Sequence, residues 1–257
     1  MVTILICLVA FLASILTFFS GFGLGTLLAP VLMFFFPVEV AIALTGIVHF
    51  FNNVFKLLLT AKYANKDVVI RFGIPAVTAA FIGAMLLLQF VDMPAIYQYS
   101  MFGKNFSIYA TKLIIAVLLM FFALVDLIPY FGKLEFSKEK LPIGGILSGF
   151  FGGLTGAQGA LRSAFLIRAG LSKEAFIGTT VVVSTLVDIT RLGVYATGFG
   201  HQIQSDNLPL LTLTTLSAIL GAFIGNKLLK KVTLKFIQIL VAILLIFISI
   251  GLGAGWL

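Results

Sequence analysis

The chain has 257 residues, 61% of them hydrophobic and only 10% charged, and its mean hydropathy is +1.18. That composition excludes a water-soluble globular protein, which needs far more polar side chains to cover its surface, and points to a polytopic membrane protein with apolar stretches near or above ~18 residues. The net charge of +8 comes from 17 Lys and Arg against 9 Asp and Glu; most of the basic residues stand in short loops between apolar runs, where they orient a membrane protein rather than bind nucleic acid.

Apolar segments are predicted at 2–19, 22–36, 38–61, 69–91 and 108–131, and again at 142–154, 158–169, 172–197, 208–226 and 233–256, from continuity and the punctuation between them. The first segment lacks a basic flank, so it is read as a retained helix and not as a cleaved signal peptide. Cys7 lies in it, and as the single cysteine it has no disulfide partner in the chain; it reads as a small packed hydrophobe.

Between the first two segments stands Ser20–Pro30, SGFGLGTLLAP, and a weaker echo, GGLTGAQGALRSA, occupies Gly152–Ala164. Each interrupts an apolar run with clustered glycines and then resumes a helical pattern, giving a helix, a break, and a second helix whose first-turn N–H groups are free to meet an anion. In a membrane such a break is tolerated only where protein or a water-filled cavity receives the backbone. Segments 142–154 and 158–169 would each be only ~20 Å long at ~1.5 Å per residue, short of a ~30 Å hydrocarbon core. Re-entrance is therefore expected for the second pair, while the longer first pair leaves re-entrance and full crossing both open.

The most charged stretch, Gly132–Lys140 (GKLEFSKEK), separates five segments from five. The expected organisation is a first membrane repeat at 1–131, a cytoplasmic linker at 132–141 and a second repeat at 142–257. An offset of 135 residues places Thr45 on Thr180, His49 on Ser184, Asn53 on Asp188 and Lys56 on Arg191, an offset of 134 places Gly25 on Gly159, and Phe81-Ile82-Gly83 recurs as Phe223-Ile224-Gly225. Lys62, Lys66, Arg71, Lys133, Lys138, Lys140, Arg168, Lys173, Lys227, Lys230, Lys231 and Lys235 flank one set of loops, which is placed in the cytoplasm. If each broken hairpin returns to the side it came from, three crossings follow it and the second half enters from the opposite face. The expected fold is thus an all-α polytopic membrane protein of two inverted repeats, each a glycine-broken, re-entrant helical hairpin followed by three transmembrane helices, in the bacterial inner membrane with both termini outside.

Polar groups inside apolar runs are costly and face a cavity or one another. Thr45, His49, Asn52, Asn53, Lys56 and Tyr63 form a single stripe at helical spacing, and Thr180, Ser184, Asp188, Arg191 and Tyr195 form its counterpart. A symmetric cavity between the halves is the economical explanation. The candidate anion-binding set is the backbone at Gly23, Gly25, Thr26 and Gly159, the charges of Lys56, Arg162 and Arg191, and the hydrogen-bonding side chains Asn53, Gln158, Thr180 and Ser184; Asp188 and His49 are candidate coupling residues. Structural roles compete with each. Lys56 and Arg162 can snorkel to an interface, Asp188 can neutralise Arg191 as an i,i+3 pair, and neighbouring helices can satisfy His49 and Asn53. Glu39 and Glu174, in first helical turns, suit the helix dipole. No HExxH pair or convincing catalytic pairing stands out, and no metal or cofactor is expected.

The residues Gly21-Phe22-Gly23-Leu24-Gly25 through Pro30, then Pro37 and Ala41, and in the second half Gly152 to Gly159, Ala175, Gly178-Thr179-Thr180 and the Asp188–Arg191 stripe, resemble the TauE/SafE sulfite exporter family, also called the toluene sulfonate uptake permease family. The resemblance covers nearly the whole chain. It departs from the family pattern at Phe22 and Leu24, where a denser glycine cluster is common, and at Arg162. It implies an integral membrane carrier for sulfite, sulfoacetate and related organic anions, working in either direction. The expected function is a secondary transporter of a small sulfur oxyanion or organosulfur anion by alternating access. A carrier for thiosulfate or an organic carboxylate is the nearest alternative; a channel or an intramembrane enzyme stands further off. The expected partners are a small anionic substrate and the lipid bilayer, with a homodimer left open.

Overall fold

Glycine breaks and prolines decide where the helices of this chain stop. The structure, a computed structural model, describes residues 1–18, 23–91, 93–101, 103–127, 138–156, 158–167, 169–199, 207–228 and 234–256. In the first half, α1 (Val2–Thr17) leads through the first break to α2 (Gly25–Met33), and Pro37 caps α3 (Val38–Thr60). A short turn leads to α4 (Lys66–Val68), which runs through a π-turn at Val69–Gly73 into α5 (Ile74–Val91). Asn65 caps this start, its side chain accepting from the Val68 N–H at 3.1 Å, and Asp67 in the first turn suits the helix dipole.

After α5 come β1 (Ala95–Met101), β2 (Lys104–Tyr109) and α6 (Ala110–Leu127). The second half holds α7 (Leu141–Thr155), α8 (Gly159–Leu166), α9 (Lys173–Phe199), α10 (Leu208–Leu228) and α11 (Leu234–Gly253). Residues 19–22 of the first break, Ala157 in the second, Arg168, the linker from Gly132 to Ser137, and Lys230 and Lys231 lie outside the described residues.

The antiparallel β1–β2 hairpin refines the all-helical expectation, which left 92–107 as a loop and began the next helix at 108. Alternation explains it: Tyr97, Tyr99 and Met101 fall on one face of β1, and Gly103 at φ +73° makes the tight turn. Tyr99 stacks on Tyr97 and Phe106 with ring centroids 6.3 and 5.3 Å apart. Its hydroxyl donates to the Ala254 carbonyl at 2.7 Å and accepts from Trp256 Nε1 at 3.0 Å, fastening the hairpin to the end of α11.

Four of the described helical stretches, Val38–Tyr63, Lys66–Phe90, Lys173–Gly198 and Leu208–Lys227, are long and apolar enough to cross a membrane. Their outward faces carry large apolar side chains, among them Leu58 at 81% exposure and Ile82 at 59%. This is a mainly helical, multi-pass membrane protein. By contrast α1, α2, α7 and α8 hold 16, 9, 15 and 8 residues, each shorter than a ~30 Å core at ~1.5 Å per residue.

Without water to drive apolar surfaces together, membrane helices pack where small residues let backbones approach. Gly145, Gly149 and Gly153 on α7 lie against Phe72, Ala76 and Ala80, so closely that a Cβ would sit 2.2, 2.0 and 2.1 Å from their carbonyl oxygens. Residue numbers rise together, so α5 and α7 run parallel. Gly221 and Gly225 on α10 meet Phe11 and Ile15 on α1 in the same way, and these helices are parallel too. At the centre α3 and α9 are antiparallel: Gly46 faces Leu192, His49 faces Asp188 and Thr60 faces Gly178. Helices α6 and α11 also pack together, with Ala116 facing Gly253.

Candidate functional site

The polar stripe of α3 meets that of α9 at Asp188. The Asp188 Oδ2 lies 2.6 Å from His49 Nδ1 and accepts from Asn53 Nδ2 at 3.0 Å. Its Oδ1 accepts from Arg191 Nε at 3.0 Å and stands 2.8 Å from Arg191 Nη2. His49 and Asn53 are one turn apart on α3, Asp188 and Arg191 one turn apart on α9, so two helical periods place four polar groups at one crossing. All four are buried. Asp188 therefore both neutralises Arg191 within its helix and joins the two halves. Further along, Tyr195 donates its hydroxyl to the Gly153 carbonyl, tying α9 to α7.

The two glycine breaks meet beside this crossing. Gly23 has φ +79°, and a Cβ there would lie 2.9 Å from His49 Nε2 and 3.6 Å from Arg162 Nη2, so both backbone conformation and space require glycine. A Cβ on Gly25 would lie 3.4 Å from the Gly156 carbonyl oxygen, which belongs to the other break. Gly156 itself ends α7 in the left-handed region at φ +76°. Neither α2 nor α8 has a side-chain cap at its start. Thr26 instead turns its hydroxyl back to the Gly23 carbonyl at 2.8 Å.

A narrow cleft with a cavity volume of about 20 Å³ opens beside the breaks, lined by Thr17, Phe18, Gly23, Asn53, Lys56, Arg162, Phe176, Ile177, Thr180 and Val181. Five of the residues singled out from the sequence, Gly23, Asn53, Lys56, Arg162 and Thr180, reach it. Gly25, Thr26, Gln158, Gly159, Ser184, Arg191, Asp188 and His49 are outside its lining, although all are buried. Sequence reasoning missed Thr17, Phe18, Phe176, Ile177 and Val181. The signal was present for the last three, since 176, 177 and 181 share with Thr180 one face of α9.

Charge sets the chemistry of the cleft. Lys56 is 3% exposed, with its ammonium 5.2 Å from the Phe18 ring centroid. With the Asn52 amide turned so that its oxygen faces Lys56, that oxygen accepts from Nζ at 3.2 Å, while Asn52 Nδ2 donates to Ser14 Oγ at 3.2 Å and to the Ala218 carbonyl at 3.1 Å. Arg162 is 1% exposed and Arg191 fully buried. Among the described buried side chains two guanidiniums stand against the single carboxylate of Asp188, an excess of fixed positive charge before Lys56 and His49 are counted. The hydroxyl of Thr180 and both amide atoms of Gln158 are buried with no hydrogen-bond partner among the described residues, and such groups are costly unless something meets them.

Comparison with known proteins agrees with this architecture. A family model described as sulfite exporter TauE/SafE matches residues 6–252. A probable membrane transporter protein of Methanocaldococcus jannaschii is 24% identical over 259 aligned positions, which take in 94% of this chain and 91% of that protein. With the match running from α1 to α11, the chain belongs to the TauE/SafE sulfite exporter family of membrane transporters.

Proposed function

We propose that the protein is a secondary carrier, not an enzyme, for a small sulfur oxyanion or organosulfur anion of the sulfite, sulfonate or sulfoacetate type, bound in the cleft where the two glycine breaks meet. The observation that carries this reading is the unbalanced positive charge at the cleft: Lys56 and Arg162 line it, Arg191 stands behind it, and Asp188 is the one buried carboxylate among the described residues. An entering oxyanion would neutralise that charge. It would accept from the Arg162 fork and the Thr180 hydroxyl, and face the uncapped first turns of α2 and α8.

The carrier would work by rocking one half against the other. Helix directions support inverted repeats: α3 and α9, counterparts under the offset of 135, are antiparallel, and the packed pairs α5 with α7 and α1 with α10 exchange into each other under the same correspondence. The short lengths of α1, α2, α7 and α8 support re-entrant hairpins in both halves. Lys62, Lys66 and Arg71 lie on the face where α3 ends and α5 begins; on the positive-inside rule that face is cytoplasmic and both termini are outside the cell membrane. Asp188 and His49, 2.6 Å apart across the halves, would couple proton movement to the rocking.

Uptake of labelled sulfite, methanesulfonate, thiosulfate and acetate into proteoliposomes, with and without an imposed pH gradient, tests this reading. Saturable flux of a sulfur oxyanion, lost in Arg162→Gln, is the expected result. Flux of thiosulfate or acetate alone would move the substrate class, single-channel currents would replace the carrier with a pore, and no flux of any anion would overturn the reading.

A further inference from the structure

Thr45 and Thr180 occupy equivalent places on α3 and α9, 135 residues apart, the offset that also relates Lys56 to Arg191. Both hydroxyls are buried, at 0% and 5% exposure, and neither has a hydrogen-bond partner among the described residues. A threonine in a helix ordinarily turns its hydroxyl to a carbonyl in the preceding turn, as Thr60 does to Lys56 and Thr185 to Val181. These two do not, at matching positions. Thr180 lines the cleft with Lys56.

Thr45 stands on the far side of the His49–Asp188 contact, away from the face that carries Lys62 and Lys66. Its Cγ2 is 3.5 Å from where a Cβ on Gly25 would lie. One residue further, Gly46 is covered: a Cβ there would be 3.1 Å from Leu192 Cδ2 and 3.4 Å from Arg191 Cζ. The Arg191 Nη1 in turn lies 3.0 Å from the Cβ position of Gly156 in the second break. A hydroxyl, a cation and a glycine break thus recur on the far side, with Leu192 packed against Gly46, the residue next to Thr45.

We propose that Thr45 and Arg191 form a second anion half-site, closed in this structure by Leu192 over Gly46, and that Thr180 with Lys56 and Arg162 forms the half-site that is open. The anion passes from one threonine to the other as the halves rock, and the Asp188 cluster is the layer between them. Because the cleft is built from the first turns of α9 and the second half of α3, the open half-site faces the side of Lys62 and Lys66. This rests on the carrier reading and adds to it which residues hold the anion on each side.

The test is the sidedness of thiol labelling in a Cys7→Ala background. Thr180→Cys and Thr45→Cys are reacted in oriented vesicles with a charged, membrane-impermeant thiosulfonate. Thr180→Cys should label from the face bearing Lys62 and Lys66. Thr45→Cys should label from the opposite face, about tenfold more slowly or slower still, because the state that opens it is the minor one. Leu192→Ala, which removes the cover, should speed Thr45→Cys labelling and leave that of Thr180→Cys unchanged or slower, and saturating methanesulfonate, which is inert toward the reagent, should slow both. Labelling of Thr45→Cys from the same face as Thr180→Cys, or none from either face even with Leu192→Ala, overturns the proposal. Labelling needs no flux, so expected sidedness without anion uptake would defeat the carrier reading alone, and uptake with both cysteines reached from one face would defeat the second half-site alone.

Discussion

Asp188 and His49 stand 2.6 Å apart, Oδ2 to Nδ1, although 139 positions separate them in the chain. Both are buried, and the contact joins α3 of the first half to α9 of the second at the level where the glycine breaks meet. Asn53 and Arg191 complete the ring around the same carboxylate.

Removing the carboxylate should therefore be more damaging than removing His49. Asp188→Ala leaves the Arg191 guanidinium buried beside His49 with no acid, and breaking a buried pair from one side costs about 3–5 kcal/mol. His49→Ala leaves Asp188 still held by Arg191 and Asn53, and should cost about 1 kcal/mol, in the range of interhelical polar contacts in membranes. Thermal unfolding of the two variants in detergent, followed by size-exclusion fluorescence, checks the order.

The α5–α7 contact gives a second expectation. A Cβ at Gly149 would lie 2.0 Å from the Ala76 carbonyl oxygen, whereas at Gly193 it would meet nothing within 4 Å. Gly149→Ala must force the helices apart and should destabilise by about 1–3 kcal/mol, as overpacking does. Gly193→Ala should be neutral or stabilising by up to about 1 kcal/mol through helix propensity. The same unfolding measurement compares them, and equal behaviour of the two variants would contradict the packing described.

For anion binding the two cleft cations should differ in kind. The Arg162 fork can take two oxygens of one anion, which an ammonium cannot reproduce, so Arg162→Lys should weaken binding almost as much as Arg162→Gln. At about 1.5–3 kcal/mol for a hydrogen bond to a charged group, each should cost roughly ten- to a hundredfold in affinity. Lys56 offers a single ammonium on a flexible stem, and Lys56→Arg should retain more affinity than Lys56→Gln. Anion-dependent thermal stabilisation, titrated with sulfite and methanesulfonate, measures both series.

Trp256 is the only tryptophan, and its Nε1 donates to Tyr99 Oη at 3.0 Å. Tyr99→Phe removes that acceptor together with the donor to the Ala254 carbonyl. Intrinsic tryptophan emission should shift, with about 0.5–1.5 kcal/mol of stability lost per hydrogen bond. Anion uptake should be unaffected, because the hairpin is remote from the cleft.

Much of the architecture was legible from residue order. Segment positions followed from apolar continuity, and the observed helices keep close to them: 172–197 became Lys173–Phe199 and 38–61 became Val38–Thr60. The breaks were legible because clustered glycines cannot continue a helix at low cost. The hairpin at Ala95–Tyr109 was harder to see, because its aromatic alternation lies between two long helical signals. The cleft lining was read only in part: the polar stripe pointed to Asn53, Lys56 and Thr180, but Phe18, Phe176 and Ile177 resemble any lipid-facing apolar residue until a neighbour is placed opposite them.

By itself the sequence determined the membrane class, the glycine breaks and the two polar stripes, because hydrophobic continuity, glycine conformation and helical periodicity are local properties of the chain. Only the tertiary structure decided that Asp188 is shared by His49, Asn53 and Arg191, that Gly25 lies against Gly156, and that Leu192 covers Gly46 while Thr180 lines an open cleft. Those outcomes depend on which helices lie side by side and in which direction. That choice is made by close backbone approach at Gly145, Gly149 and Gly153, a collective packing result that no single stretch of chain encodes.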